Sequence, residues 1–431
     1  MGHPLRWDIY ETHLDEAAFR WSQWEAALDA PDFILGEVAE LEERFAAHLD
    51  GLILGGTPVA RRLLEPALAS EELERIVTAA LALLRGEDAP GPAAVLAALP
   101  AAEPSALAGL RRALELAPSA AIPTALPSLL EKEDALPALW VLVLDTLGTH
   151  GLATPALCTP LLSHPEPEVA AAALRAASRA RLPLEPARVQ RALDSRAPVL
   201  RDAALLAGLM GGHAGAWAAC RALVDSRASE ARLPLLLLGL GGDEQDVKRL
   251  LARLDDEEFR ADALWALGFS GRVAAADACV ALMRKEPIAA LAGEAFSAIT
   301  GLRIEGVHAT EKEEREEDDL DADLTLRPED ALPLPHAEHV AAWWKEARAR
   351  LDPKQRYLAG QPFTPQVLLE ALVSAPMRRR HALALELALR SRGALQVPTR
   401  AFVQHQVAGW KAARAAPATS FSRPFAEGLR G

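Results

Sequence analysis

Apolar residues recur along this chain at steps of three and four, which predicts amphipathic helices over most of its length. In WDIYETHLDEAAFRWSQWEAAL, residues 7–28, the side chains Tyr10, Leu14, Ala17, Trp21, Trp24 and Leu28 fall on one helical face. Pro31 and Asp32 then open a second helix through VAELEERFAAHLDGLILGG. An aromatic face followed by an acidic helix pair suits a capping unit. Near the other end, HVAAWWKEARARL and QVLLEALVSAPMRRRHALALELAL predict further helices, with Trp343 and Trp344 inward and basic residues outside. Many of the 31 prolines stand at the start of such runs, as Pro155, Pro198 and Pro365 do. A missing N–H costs nothing in a helix's first turn, so these prolines punctuate short helices.

Between about residues 136 and 286 the pattern repeats itself. LWVLVLDTLGTHG closes at Gly151, DAALLAGLMGG at Gly212, LPLLLLGLGG at Gly242 and DALWALGFSG at Gly271, with a degenerate copy, EVAAAALRAASRARL, in the first interval. A second strip follows each turn and places Cys158, Val189, Cys220, Val247 and Cys279 at one recurring position. All three cysteines of the chain therefore share a site that alternates with valine, which is the signature of a small buried apolar residue rather than of a metal or redox ligand. Fainter units extend upstream through LERIVTAALALLRG and ALAGLRRALEL. A unit of about 30 residues that reads helix, turn, helix cannot bury its apolar face alone, and stacking supplies the missing core. The segment from Glu258 to Lys285 carries the pattern best, and it resembles HEAT repeats of the short type first described in phycobilin lyases. The fold class expected is all-α, a HEAT-like α-solenoid with N-terminal capping helices and a C-terminal helical module.

Four segments follow from the patterning: a cap at 1–70, repeats at 71–305, an acidic insertion at 306–335 and a basic helical module at 336–431. Charge sharpens that division. The net charge is −14, but residues 1–70 carry 5 basic and 13 acidic groups while residues 340–431 carry 15 and 5. Such polarity steers charged partners toward one end. Few aromatic residues interleave with the arginines and the whole is negative, so nucleic acid is not the expected partner. No basic stretch leads into an apolar core at the start and no apolar run is long enough to span a bilayer, so no membrane partner is expected either. Three cysteines fit a reducing compartment and a cytoplasmic address.

Strings at the two ends resemble a family of proteobacterial proteins of unassigned function. They are Trp7-Asp8-Ile9-Tyr10-Glu11-x-His13-Leu14-Asp15-Glu16-Ala17 with Trp21-x-x-Trp24-Glu25, then Leu41-Glu42-Glu43-Arg44 and Ala47-His48-Leu49-Asp50-Gly51-Leu52. Ala295-Phe296-x-x-Ile299-Thr300-Gly301 and Arg356-Tyr357-Leu358-x-Gly360 look like that family's C-terminal part. Its members carry HEAT-like repeats, and some are encoded beside type VI secretion genes and effectors. The resemblance implies an immunity protein or an adaptor that binds an effector, and it supplies no catalytic residues.

The residues themselves offer little chemistry. There is no phosphate-binding glycine loop, no nucleophile elbow and no His-Glu-x-x-His. Asp319, Asp321, Asp323 and Asp330 echo a calcium loop, but Leu324 replaces the turn glycine and Arg327 takes the ninth place. His336 and His339 could share a metal only with a third ligand from elsewhere. His13 with Asp15 and Glu16, and His48 with Asp50, would suit acid–base work only if a cleft joined them, and on amphipathic helices they read as surface groups or caps. The reading is a non-catalytic protein-binding scaffold without a cofactor, whose partner is a protein such as a secreted toxin. A metal-dependent enzyme or regulator and a general assembly scaffold are the alternatives. Trp24, Glu42, Glu43, Arg378, Arg379 and Arg380 are the surface residues nominated for the partner, although Trp24 shares the apolar helical phase.

Overall fold

The computed structural model describes residues 5–86, 91–131, 135–226, 231–310 and 327–429. The chain begins with α1 (Trp7–Ala27) and α2 (Leu35–Leu54), then α3 (Gly56–Val59) and α4 (Glu65–Ala67), joined by a π-helical turn, Ala60–Leu64. Next come α5 (Leu73–Arg85), α6 (Gly91–Ala98), α7 (Pro104–Leu116), α8 (Pro137–Thr149), α9 (Pro155–Leu161), α10 (Pro167–Arg179), α11 (Pro186–Leu193) and α12 (Pro198–Gly211). They are followed by α13 (Ala214–Asp225), α14 (Arg232–Gly241), α15 (Glu244–Arg253), α16 (Glu257–Ser270), α17 (Val273–Leu282) and α18 (Ala289–Thr300). The series ends with α19 (Ala337–Ala347), α20 (Pro365–Ser374), α21 (Met377–Arg390) and α22 (Val403–Ala415). Among the described residues the only strands are two-residue antiparallel ladders, β1 (Ala309–Thr310) with β2 (Leu334–Pro335) and β3 (Tyr357–Leu358) with β4 (Gln361–Pro362). The protein is all-α, in stacked helical pairs resembling those of HEAT-repeat solenoids. Pro155, Pro198 and Pro365 each open a helix, as the punctuation reading predicts. No helix among the described residues is long and apolar enough to cross a membrane.

The chain groups into two compact units, each drawn from separated stretches. The first comprises Met1–Leu28, Leu35–Gly211 and Arg400–Ala408; the second comprises Asp29–Ile34, Gly212–Thr399 and Gly409–Gly431. In the first, α1 packs on α2 and α5, and α5, α7, α8, α10 and α12 then lie side by side in chain order. In the second, α14, α16 and α18 form the corresponding row, with α13, α15 and α17 packed against it. Cys158, Val189, Cys220, Val247 and Cys279 are all buried, one per second helix, which is what their shared repeat position requires. Burial pushes the Cys158 thiol up to about 11 and that of Cys279 up to about 12.

The rows are tight because their helices meet backbone to backbone. A methyl group added at Gly148 of α8 would come 2.8 Å from the Ala176 Cα of α10. In the second unit Gly239 of α14 stands against the Ala266 carbonyl of α16, and Gly268 of α16 against the Ala295 Cα of α18, at 2.2 and 3.0 Å by the same measure. The Leu-Gly step of the repeat is thus an interhelical contact, where only glycine leaves room for a neighbouring backbone. Turn glycines are a separate set. Gly151, Gly212 and Gly271 take left-handed conformations, whereas Gly242, which closes the third strip, has φ −75°. The degenerate copy turns in the same way without glycine. Arg181 adopts φ 55° there, and Leu182 N–H reaches back to Ala177 O at 2.8 Å just as Leu152 N–H reaches Leu147 O.

Candidate protein-binding surface

Four of the six residues nominated for a partner are buried, which corrects their expected surface position. Trp24 is fully enclosed on α1, 5.1 Å from the Phe402 ring and beneath the Arg112 guanidinium. Arg378, Arg379 and Arg380 open α21, a helix buried on nearly every side. Three consecutive positions span about 200° of a helix, so they can all be hidden only when the helix is enclosed. Arg378 pairs with Glu294 at 3.2 Å and with Glu329 at 2.9 Å while lying over Trp265. Glu329 belongs to the 306–335 stretch, so part of that insertion does meet the arginine run; Asp319, Asp321, Asp323 and Leu324 lie outside the described residues. Arg379 stacks on Trp265 and Phe269, and burial lowers its pKa to about 10. Arg380 donates to the Leu372 carbonyl and is likewise lowered to about 10 by burial. The expectation of basic residues outside the C-terminal module fails here because the guanidinium groups lie along aromatic faces and find internal carboxylates. Trp344 is buried and Trp343 half-buried, both edge-on to Phe296.

Glu42 is half-buried and accepts the Val403 N–H at 2.7 Å, satisfying one of the unpaired donors that open α22. Burial pushes its carboxyl up, against that hydrogen bond. Glu43 is exposed. It belongs to a stripe on α2, with Glu40, Ala47 and Asp50 exposed at helical spacing and Leu54 beyond them, 85% exposed. Neither Glu40, Glu43 nor Asp50 has an ion-pair partner among the described residues. Beside Leu54 lies a hollow of about 510 Å³ whose lining includes Leu52, Ile53, Leu64 and Leu83 together with Asp50, Thr57 and Arg85. Among the described residues, this mixed polar and apolar hollow stands at the end of the acidic stripe.

The strings near residues 300 and 356 are packing devices of the second unit. Tyr357 N–H donates to Gly271 O, Ala359 N–H to Ala298 O and Gly360 N–H to Ile299 O, so this strip lies across the ends of α16 and α18. Arg356 donates to the Leu240 carbonyl at 3.0 Å and to the Phe269 carbonyl at 2.9 Å, among the last, otherwise unpaired acceptors of α14 and α16. The same guanidinium grips Glu386 with bonds of 2.6 and 2.8 Å, and Arg390 adds a third at 2.7 Å. Burial pushes the Glu386 carboxyl up, but the two arginines outweigh it and leave the pKa lowered. No sequence pattern announces this triad, since Glu386 sits in an apolar run and its main partner lies 30 positions away.

Four of the chain's eleven histidines form two pairs. His336 and His339 stack in parallel at 3.8 Å; His336 Nδ1 faces the His339 N–H, and His339 Nδ1 contacts the Val307 carbonyl. His13 and His48, read from sequence as separate surface groups, are brought together across α1 and α2 with their Nδ1 atoms 3.1 Å apart. Among the described residues no three His, Cys, Asp or Glu side chains stand close enough to hold a metal ion together.

No family model matches this chain, and no curated protein does. Among solved structures, human deoxyhypusine hydroxylase in complex with glycerol aligns over 56% of this chain and 96% of its own, at 19% identity and a TM-score of 0.26. An engineered protein aligns over 98% of this chain and 96% of its own, at 14% identity and a TM-score of 0.25.

Proposed function

We propose that this protein is a non-catalytic binding scaffold that holds a basic protein partner on the acidic stripe of α2 and the hollow beside it, acting as an immunity or adaptor protein for a type VI secretion effector. The observation that carries the binding reading is the line of Glu40, Glu43 and Asp50, exposed and without an ion pair among the described residues, running into Leu54 and the hollow beside it. A basic partner with an apolar anchor matches both parts: the charges speed encounter and the anchor supplies burial. The effector assignment rests on the resemblance of the terminal strings. Affinity capture from the native cell, followed by titration of the purified partner at low and moderate salt, tests the proposal. A single basic effector whose affinity falls with salt, and falls at least about tenfold in the E40K/E43K/D50K variant, supports it. Equal affinity of the parent and the triple variant would remove the stripe from the interface; an effector whose toxicity persists on co-expression would remove the immunity role.

A further inference from the structure

We propose that His13 and His48 form a two-point anchor for a divalent transition-metal ion of the zinc, nickel or copper type. The two rings come from different helices and meet edge to face, 5.2 Å between centroids, with Nδ1 turned to Nδ1. Two nitrogens 3.1 Å apart and each about 2.05 Å from one ion subtend roughly 100° at it, between the square-planar and tetrahedral values. The Nδ1 separation alone therefore matches two ligands of one ion, each ring turning its Nδ1 from the other ring toward it. The His13 ring rests over Gly51, where an added methyl group would come within 3.0 Å of it, so the α2 backbone holds that ring in place.

The protons balance simply. In the empty pair one Nδ1–H donates to the other Nδ1; metal binding moves that proton to Nε2 of the same ring, leaving both Nδ1 lone pairs for the ion and releasing no net proton when both rings are neutral. The charged groups facing His48 are Glu16, which favours a cation, and Arg20, which opposes it and pairs with Glu16 at 3.5 Å. Since no third protein ligand is already in place, water or a reoriented Glu16 completes the shell, and the site binds more weakly than a closed four-ligand zinc site. The stacked His336 and His339 are a built-in comparison, because the Nδ1 atoms of both already face backbone groups.

The test is calorimetric titration of the intact chain, freed of any affinity tag, with Zn²⁺, Ni²⁺ and Cu²⁺ separately at pH 7.5. One ion per chain is expected, with affinity reduced at least about tenfold in H13A and in H48A and unchanged in H336A/H339A. Nitrogen-15 spectra of the unaltered protein's imidazoles give a reading independent of the variants' folding: Zn²⁺ must shift the Nδ1 resonances of both His13 and His48. Absence of binding, binding that survives in H48A, or unmoved Nδ1 resonances would each overturn the site and leave the pair as a shared-proton contact.

Discussion

Replacing Glu386 with glutamine should be among the most destabilising single changes in the second unit. The carboxylate is fully buried and receives two hydrogen bonds from Arg356 and one from Arg390, whose side chains are 14% and 3% exposed. Glutamine keeps the volume and one acceptor but leaves two guanidinium charges without their counter-ion, and breaking a buried pair in this way costs about 3–5 kcal/mol. With an m-value of about 2–3 kcal/mol/M, the urea midpoint of the second unit should fall by more than about 1 M. Because the Glu386 pKa is lowered from its ordinary 4.5, its stabilisation is fully present above that value and is lost as pH falls through the folded-state pKa. The gap between parent and E386Q should therefore be widest near pH 7 and shrink in acid below pH 4.5. Urea unfolding followed by tryptophan fluorescence and circular dichroism at both pH values measures it. A loss under about 1 kcal/mol at pH 7, or a gap that widens in acid, would refute the claim that the arginines hold the carboxylate charged. Replacing the triad together by apolar residues should recover much of the loss, since the desolvation cost of the ions disappears with them.

Arg181→Gly should stabilise the first unit by about 1 kcal/mol, as a left-handed position is relieved of its side-chain penalty, and a rise in melting temperature would report it. Gly239→Ala should instead destabilise the second unit by about 1–3 kcal/mol in a urea titration, even though alanine is the better helix former, because its methyl group meets the Ala266 carbonyl. Cys158 and Cys279 should resist alkylation by a maleimide at pH 8 until the protein is unfolded, since their thiols are buried and titrate near 11 and 12; rapid labelling of the native chain, followed by mass spectrometry, would contradict this.

Local signals and long-range ones fared differently in the sequence. Helix starts at Pro155, Pro198 and Pro365 and the buried cysteine–valine position follow from neighbouring residues and a 30-residue period, and both are present. The arginine run misleads because periodicity assumes a helix with one wet face, and α21 has none. Its nearly continuous apolar sequence after His381 was the available sign of full enclosure. The charge of Glu42 points to the surface, yet its carboxylate meets Val403, a pairing of positions far apart in sequence that no local pattern encodes. His13 and His48 each stand beside carboxylates in the sequence, but the 3.1 Å contact between them depends on how α1 pairs with α2.

That pairing of Glu42 with Val403, 361 positions apart, also orders events during synthesis. At 5–20 residues per second the ribosome reaches Val403 roughly 20–70 s after Glu42. Throughout that interval Phe402, which later packs on Trp24 and Phe45, has not been made, and both rings lack their cover. The helices of the first unit can form as they emerge, but the segment Arg400–Ala408 joins them only after nearly all the second unit's chain has been translated. A stop codon placed before residue 400 should therefore leave Trp24 and Phe45 without this cover even though almost all of the first unit's residues are present.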